Sequence, residues 1–272
     1  SQGFVETDSA DDADIIIINS CTVTGSGDSK SLYSVRKMRK IAPNAIIALT
    51  GCLPQAAPEI AAKIPEADIV AGTKDRRKLP ELVRSVIAER RHIVAIDQYG
   101  AHDEFELTRF EGAQDKTRAF VKIQDGCNQF CSYCIIPYAR GRLRSKPIDA
   151  LKDEISRLAQ SGRREIVLVG INLAFYGVEF GLRLADAVEV CCKTEGIERV
   201  RLGSLEPEIL SDEDLRRLAA LPELCPQFHL SLQSGSENTL KAMNRKYTAA
   251  DYFTLTQKIR AAFPNASFTT DI

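Results

Sequence analysis

The sequence predicts an α/β protein with two domains built on parallel strands. Short apolar runs rich in β-branched residues alternate with amphipathic helical segments along most of the chain. Such runs, separated by helices, are typical of a parallel sheet that is covered on both faces. One polar and aperiodic stretch interrupts the alternation, and the chain of 272 residues is long enough to form a core on either side of it.

The first domain is predicted over residues 1–97. In chain order, its elements are strands at 14–19, 45–49, 68–70 and 92–96 and helices at 28–41, 58–63 and 79–90. The first two strands, "DIIIIN" and "AIIAL", are expected to be fully buried because their apolar runs are continuous. Residues 98–116 are polar and lack periodicity, so we expect them to form an interdomain linker.

The second domain is predicted over residues 117–272. Its strands are expected at 118–123, 165–169, 199–202, 227–232 and 266–271, and its helices at 148–160, 182–192, 212–220 and 249–262. Four strand–helix units followed by a fifth strand indicate a partial parallel barrel. The chain starts just before a buried strand and stops at a strand end. We therefore expect a piece of a longer protein, truncated at both ends.

Three cysteines stand within eight residues, as Cys127, Cys131 and Cys134 in the spacing C-x₃-C-x₂-C. Structural zinc sites use four ligands, and none of the three histidines of the chain lies nearby in sequence. Three thiols this close cannot all form disulfides with one another. A [4Fe–4S] cluster held by three thiolates leaves one iron open for a substrate or cofactor, which fits the count. The alternative is three unrelated loop cysteines.

Two further cysteines each follow a predicted strand of the first domain. Cys21 comes after "IIIIN" and Cys52 ends "TGC", so both lie at the carboxyl edge of a parallel sheet, where ligands bind. If the two strands are neighbours, the thiols can reach one metal centre. The alternative is a pair of buried core cysteines. The other cysteines are interpreted as structural; they are Cys191, Cys192 and Cys225.

Composition and charge indicate the environment of the protein. No amino-terminal signal with basic and apolar regions is visible, and the longest apolar stretches are too short to span a bilayer. The cysteine content is too low for a disulfide framework, so we expect a cytoplasmic protein that does not associate with membranes. The net charge of −1 exerts no overall attraction on nucleic acid.

The stretch "GCNQFCSYCIIPYARG", with Tyr133 directly before the last cysteine, resembles the radical S-adenosylmethionine (SAM) methylthiotransferases. The segments "INSCTVT", "LTGC", "SLEP" and "HLSLQSGSENTLKAMNRKYT" resemble the other blocks of that family in the same order. The resemblance implies an amino-terminal α/β domain followed by a radical SAM barrel. It also implies two [4Fe–4S] clusters in the full-length protein, with S-adenosylmethionine bound at the open iron of the barrel cluster.

Residue roles follow from the same resemblance. Cys127, Cys131 and Cys134 are the implied ligands of the barrel cluster. The second cluster, which delivers sulfur, takes Cys21, Cys52 and a third cysteine upstream of Ser1. The implied cofactor-binding residues are Tyr133, Gly170, Asn172, Glu206 and Gln233. As structural alternatives, Glu206 caps a helix and Gln233 satisfies backbone groups.

The resemblance also implies a substrate. The greatest similarity is to the enzymes that act on N6-threonylcarbamoyladenosine (t6A) 3′ of the tRNA anticodon. It rests on Gln129, Phe130 and the arginines at 140, 142 and 144. The alternatives within the family are N6-isopentenyladenosine in tRNA and an aspartate of a ribosomal protein. A different class of function is a redox or metal-storage module without catalysis. For the enzyme we expect a monomer that receives electrons from a flavodoxin- or ferredoxin-like donor.

A basic run follows the cysteine triplet. Between residues 116 and 146 the chain has seven cations and one acid, Asp125. Beside an open cluster, such a run suits the phosphates of a tRNA anticodon loop. The candidate RNA-binding residues are Arg140, Arg142, Arg144 and Lys146. The alternative is a solvated, charged loop.

Overall fold

The computed structural model describes residues 3–74, 76–107, 118–208 and 210–272. The chain divides into two compact units. The first consists of Ser1–Ala101 and Cys134–Gly141, and the second of His102–Tyr133 and Arg142–Ile272. Both are built on largely parallel strands, which confirms the predicted α/β class. Residues 108–116 of the predicted linker lie outside the described residues.

The first unit contains a parallel sheet with the strand order β1-β2-β3-β4. The strands are β1 (Ile15–Ser20), β2 (Ile46–Gly51), β3 (Ile69–Ala71) and β4 (Ile93–Ala95). The helices are α1 (Gly25–Ile41), α2 (Cys52–Ala56), α3 (Pro58–Ala61), α4 (Leu79–Glu89) and α5 (Ile136–Arg140), with a 3₁₀ turn at Arg76–Lys78. Sequence reasoning placed the α5 segment in the second domain and did not predict a helix there.

Strand β2 shows how this sheet is covered. Ile47 and Leu49 pack into one cluster with Val35 of α1, whereas Ile46 and Ala48 belong to a second cluster that includes residues of α4. Alternate side chains of one strand therefore enter two apolar layers, as predicted for a sheet with both faces covered. The prediction that β1 is fully buried is wrong, because β1 is an edge strand and half of Ile17 is exposed.

The second unit contains two sheets, with the orders β6-β5-β7-β8 and β9-β10-β11. The strands are β5 (Arg118–Asp125), β6 (Arg144–Ser145), β7 (Glu165–Gly170), β8 (Arg199–Leu202), β9 (Ser204–Leu205), β10 (Gln227–Leu230) and β11 (Ser267–Thr269). The helices are α6 (Ile148–Gln160), α7 (Leu184–Cys192), α8 (Asp212–Ala219), α9 (Glu237–Ala242) and α10 (Ala249–Ala262). Two 3₁₀ turns lie at Leu173–Phe175 and Val178–Phe180.

All strand pairs in this unit are parallel within the described residues, except for β6, which pairs antiparallel with β5. A parallel bridge joins Val200 of β8 to Leu224, which is not part of a named strand. One continuous apolar core joins the strands to α6, α7, α8 and α10, as expected for part of a parallel barrel. Among the described residues, no helix has both the length and the apolar character that a membrane crossing requires.

Candidate functional site

The segment from Gly126 to Cys134, here called the cysteine loop, begins where β5 ends. Asp125 holds the first turn of this loop. One carboxylate oxygen of Asp125 accepts a hydrogen bond from the Gly126 backbone at 2.9 Å, and the other accepts one from Lys122 Nζ at 2.8 Å. Gly126 has a φ of +71°, a conformation that L side chains adopt at a cost. This turn carries the chain out of the strand and into Cys127 at the carboxyl end of β5, where the chemistry of parallel barrels occurs.

Cys127 lies among hydrogen-bond donors. The backbone N–H of Gln129 is 3.4 Å from Cys127 Sγ, and Asn172 Nδ2 is 3.7 Å from the same sulfur. Asn172 is buried, and its backbone N–H donates to Gln124 Oε1 at 2.7 Å. Within the described part of the chain, Asn172 Oδ1 is buried without a hydrogen-bond partner. An unsatisfied acceptor beside a sulfur is costly, so this oxygen fits a position where a bound molecule supplies the donor.

Gly170 ends β7, next to the same glutamine. A Cβ atom added at Gly170 would come within 2.9 Å of Gln124 Cβ and 3.1 Å of Gln124 Oε1. A side chain here would therefore displace the group that holds Asn172. The role of Gly170 that the structure supports is to leave room for Gln124, while its contact with a cofactor stays a prediction.

Cys131 is held by the turn that follows α9. Ser132 N and Ser132 Oγ donate to the carbonyl oxygens of Met243 and Ala242 at 3.1 and 2.9 Å. On the other side of the cysteine, Asn244 Nδ2 donates to the carbonyl oxygen of Phe130 at 3.0 Å. These three bonds join two segments that are more than one hundred residues apart in sequence and fix the backbone around the Cys131 thiol.

Arg245 connects this turn to Glu206, which directly follows β9. Arg245 Nη1 is 3.0 and 2.9 Å from the two carboxylate oxygens of Glu206 and 3.7 Å from Cys131 Sγ. Burial raises the pKa of Glu206, and the nearby guanidinium opposes this shift. Glu206 thus forms an ion pair inside the site, and in the structure it does not act as a helix cap.

Glu208 is a second half-buried acid beside Glu206. Gln129 Nε2 donates to Glu208 Oε2 at 3.0 Å, which ties the cysteine loop to the segment after β9. The pKa of Glu208 is raised, first by burial and then by the charge of Glu206. The charge of Arg245 is among the influences that lower the pKa of Glu208.

The remaining residues of the loop are more exposed. Tyr133 is 54% exposed, and its ring centroid is 5.9 Å from Arg245 Cζ. Cys134 is half-buried and opens the segment that the structure groups with the first unit.

The chemistry of the donor set fits the predicted cluster. Cys127 and Cys131 are partly exposed, and each has a polar hydrogen-bond donor near its sulfur. Such donors stabilise a sulfur that carries negative charge. Among the described residues, no three His, Cys, Asp or Glu side chains are close enough to hold a single metal ion. A cubane distributes its three cysteine ligands over three irons, so it does not need that close grouping.

Cys21 and Cys52 lie where the sequence predicted, at the same edge of the first sheet. Strands β1 and β2 are neighbours, and their last aligned pair is Ser20 with Gly51. Each cysteine is therefore the first residue after its strand. Cys21 is exposed and Cys52 is buried. A second cluster on these two thiols stays a prediction.

Cys191 and Cys192 behave as the structural interpretation expects. Both lie in the apolar core of the second unit, on α7. Burial raises the pKa of both thiols, to about 12 for Cys192. Metal ligation needs the thiolate, so this environment disfavours a ligand role.

The basic run divides into two kinds of residues. Arg142 is exposed, whereas Arg144 and Lys146 are buried, at 7% and 4% exposure. Arg144 donates to the backbone carbonyl of Arg142 at 2.9 Å, and the Lys146 ammonium pairs with the buried Glu154 carboxylate. The prediction that Arg144 and Lys146 contact RNA needs correction, because both residues are buried. Arg140, at the end of α5, is half-buried.

Gln233 lies beyond the end of β10 in a left-handed backbone conformation, with a φ of +65°. Its backbone N–H donates to the carbonyl oxygen of Asp271 at 2.9 Å. Its contact with a cofactor stays a prediction.

Sequence reasoning missed three residues of this site. They are Gln124, Glu208 and Arg245. Gln124 had a recognisable signal, because it is a polar residue at the end of an apolar strand that leads into the cysteines. Arg245 belongs to the block "MNRKYT", but its partners come from loops far away in sequence, and no local pattern reveals them.

Comparison with known proteins places this geometry in a family. The Radical SAM superfamily matches residues 121–272, and the uncharacterized protein family UPF0004 matches residues 1–72. A tRNA-2-methylthio-N(6)-dimethylallyladenosine synthase from Clostridium novyi is 39% identical, and a threonylcarbamoyladenosine tRNA methylthiotransferase MtaB from Chlamydia pneumoniae is 38% identical. Each alignment covers 99% of this chain, and the chain spans 61% of the length of each relative.

Solved structures agree on the fold. The radical S-adenosylmethionine methyltransferase TsrM from Kitasatospora setae matches with a TM-score of 0.67 and 14% identity, over 94% of this chain and 55% of that one. The cobalamin-dependent S-adenosylmethionine radical enzyme OxsB matches with a TM-score of 0.60 and 13% identity, over 94% of this chain and 40% of that one. Since the superfamily match covers more than half of the sequence and includes all three loop cysteines, the chain belongs to the radical SAM superfamily.

Proposed function

We propose that the protein is a tRNA methylthiotransferase that replaces the C2–H bond of t6A, 3′ of the anticodon, with a methylthio group. The observation that carries this proposal is the cysteine loop, with hydrogen-bond donors at two of its sulfurs and an unpaired acceptor, Asn172 Oδ1, beside them. The two tRNA-modifying relatives support the substrate class. The reaction is assigned to the cytoplasm, with tRNA as the partner.

Cys127, Cys131 and Cys134 are the proposed ligands of a [4Fe–4S] cluster. When bound, a cluster with one open iron supplies the electron for reductive cleavage of S-adenosylmethionine. The electron comes from a flavodoxin- or ferredoxin-like donor. Sulfur for the new bond is assigned to a second cluster held by Cys21, Cys52 and a further ligand.

Three residues of the protein are assigned to the binding and orientation of S-adenosylmethionine. Asn172 offers a fixed acceptor for the amino group of the methionine moiety, since its backbone is anchored by Gln124. Tyr133 offers an exposed ring face against the apolar part of the cofactor. Glu206 is held by Arg245 at the edge of the site, where a carboxylate can accept from an amino or ribose hydroxyl group.

The RNA contact is assigned to Arg142, with Arg140 as a second candidate. Arg142 is exposed, and its backbone is braced by the guanidinium of the buried Arg144. An exposed cation on a braced backbone can meet a phosphate without a large loss of conformational freedom. Arg144 and Lys146 support the loop instead of contacting RNA.

The test is a reaction of the anaerobically reconstituted longer protein, which includes the expected cysteine upstream of Ser1, with S-adenosylmethionine, a reductant and tRNA that carries t6A. Mass spectrometry of the digested nucleosides is expected to show t6A with an added methylthio group. Cys127→Ala should abolish the product, whereas Cys191→Ala, which changes a core thiol, should retain it. The absence of any thiolated nucleoside or protein product would contradict the proposal.

The alternative substrate within tRNA is N6-isopentenyladenosine, which is favoured by the similarity to the Clostridium novyi enzyme. The two relatives differ by one per cent in identity, so identity does not choose between these substrates. Parallel reactions with tRNA bearing either nucleoside separate them. A methylthio group on a ribosomal-protein aspartate, detected by peptide mass spectrometry, would indicate the third family substrate.

A further inference from the structure

Arg245 is a charged side chain beside Cys131, with Nη1 3.7 Å from Sγ. Its side chain is 5% exposed, and the guanidinium Cζ lies 5.9 Å from the Tyr133 ring centroid and 5.6 Å from that of Tyr247. Tyr247 is itself fixed by hydrogen bonds from its hydroxyl group to the carbonyl oxygens of Ser231 and Leu232, at 2.7 and 2.9 Å. The guanidinium therefore lies within 6 Å of two aromatic ring centroids.

The backbone of Arg245 is equally constrained. Asn244 has a φ of +57°, and the Arg245 N–H donates to the carbonyl oxygen of Leu240 at 2.9 Å, which closes the end of α9. The same turn hydrogen-bonds to Phe130 and Ser132, the neighbours of Cys131. Arg245 Nη1 thus points at Cys131 Sγ from a turn that is already attached to the cysteine loop.

Electrostatics give this contact a consequence. Hydrogen bonds to ligand sulfurs and the net charge nearby set the reduction potential of an iron–sulfur cluster. Arginine keeps its positive charge at any ordinary pH, and at Nη1 it serves Glu206 and Cys131 together. A cation with such a bond favours the reduced, more negative form of a cluster on Cys131, and the Glu206 carboxylate opposes that effect.

We propose that Arg245 is a positioning residue that orients Cys131 Sγ and raises the reduction potential of the cluster bound there. The Glu206 carboxylate partly opposes this rise in potential. This inference rests on the proposed function, because it requires a cluster on Cys131. It assigns the pair a role in setting how readily the site accepts an electron, separate from any contact with S-adenosylmethionine.

The experiment measures the midpoint potential of the reconstituted chain, without S-adenosylmethionine or tRNA. Electron paramagnetic resonance follows the cluster during a titration with dithionite and redox mediators. Arg245→Met should lower the potential, because it removes the donor and leaves the Glu206 carboxylate unpaired. Glu206→Gln should raise the potential, because the Arg245 cation remains and the opposing negative charge of the carboxylate is removed. We expect each reduction equilibrium to change at least tenfold, which is about 59 mV for one electron.

Arg201→Met is the matched control. Arg201 also pairs with a carboxylate of the second unit, since its Nε donates to Glu165 Oε1 at 2.8 Å. Glu165 begins β7, at the opposite end of that strand from Gly170. The loss of this ion pair should leave the potential unchanged.

Shifts of opposite sign in the two variants support the inference, because loosened packing alone would move both potentials in the same direction. Unchanged potentials at full iron content, or shifts of the same sign, overturn it. If Arg245→Met fails to fold or to retain iron, Glu206→Gln decides alone, and an unchanged potential overturns the inference. If the unsubstituted chain takes up no cluster, the proposed function fails, and the inference fails with it.

Discussion

The basic residues after the cysteine triplet lie in two different environments. Arg142 and Lys146 are only four residues apart, yet one is exposed and the other is 4% exposed and paired with Glu154. The antiparallel strand β6 separates them, because its two residues, Arg144 and Ser145, are buried against β5. The sequence predicted a uniform RNA-binding run since a two-residue strand is too short to leave a periodic signal.

These two positions should therefore respond differently to substitution. Arg142→Glu should weaken tRNA binding and flatten its salt dependence, because a phosphate contact releases counterions, while stability changes by less than about 0.5 kcal/mol. Lys146→Met should reduce the free energy of unfolding by about 3 to 5 kcal/mol, because it leaves the buried Glu154 carboxylate without its cation. Binding at several salt concentrations and urea denaturation measure the two effects. An Arg142→Glu protein with an unchanged salt slope would identify the loop as merely solvated.

At the level of elements, the long periodic segments were predictable. Strands β1, β2, β5 and β7 and helices such as α6 and α10 lie close to their predicted ranges, because continuous apolar runs and helical periodicity persist for several turns or residues. The short elements β6, β9, α2, α5 and α9 were missed. These segments of two to six residues are too short for a periodic signal, and some are defined by their tertiary partners, such as the pairing of Ser204 with His229.

Helix α8 offers a test of how one element is held in place. Its N-cap residue Ser211 accepts a hydrogen bond from the Asp214 backbone, while the buried Asp214 carboxylate accepts from Ser211 N, Ser211 Oγ and Arg183 Nη2. Burial alone raises the pKa of Asp214, but the bonds from Arg183 and Ser211 outweigh it, so the net pKa is lowered. The carboxylate is therefore worth more to the folded state than to the unfolded one.

Asp214→Asn should destabilise the protein by about 1.5 to 3 kcal/mol at pH 7, the usual range for a hydrogen bond to a charged group. Since the folded pKa lies below the unfolded value of about 3.9, the contribution is complete above that pH and disappears as the pH falls through the folded pKa. Urea denaturation of both proteins between pH 7 and pH 2.5 measures the difference. Equal stabilities at pH 7 would show that the amide replaces every bond of the carboxylate.

For the whole molecule, the sequence located the candidate cysteines but not the groups that surround them, and the ligand roles of these cysteines stay predictions. The cysteine triplet and the pair Cys21 and Cys52 were identified from spacing and strand position alone. Arg245 could not be assigned a role, because its site is assembled from β9, the turn after α9 and the cysteine loop, which are far apart in sequence. Local sequence patterns locate the cysteines, while the hydrogen bonds and ion pairs around them form only when distant segments meet in the folded protein.

Iron stoichiometry tests the assignment of the cysteines across both units. The reconstituted chain should bind about four irons, and Cys127→Ala, Cys131→Ala or Cys134→Ala should each remove them. Two thiols are too few for a cubane, so Cys21→Ala and Cys52→Ala should leave this content unchanged.

A longer protein that includes the expected cysteine upstream of Ser1 should bind about eight irons, from two cubanes. In that protein Cys21→Ala or Cys52→Ala should lower the content to about four and abolish thiolation, while cleavage of S-adenosylmethionine continues. Four irons in the longer protein would show that Cys21 and Cys52 are ordinary thiols at the sheet edge, and that the sulfur has another source.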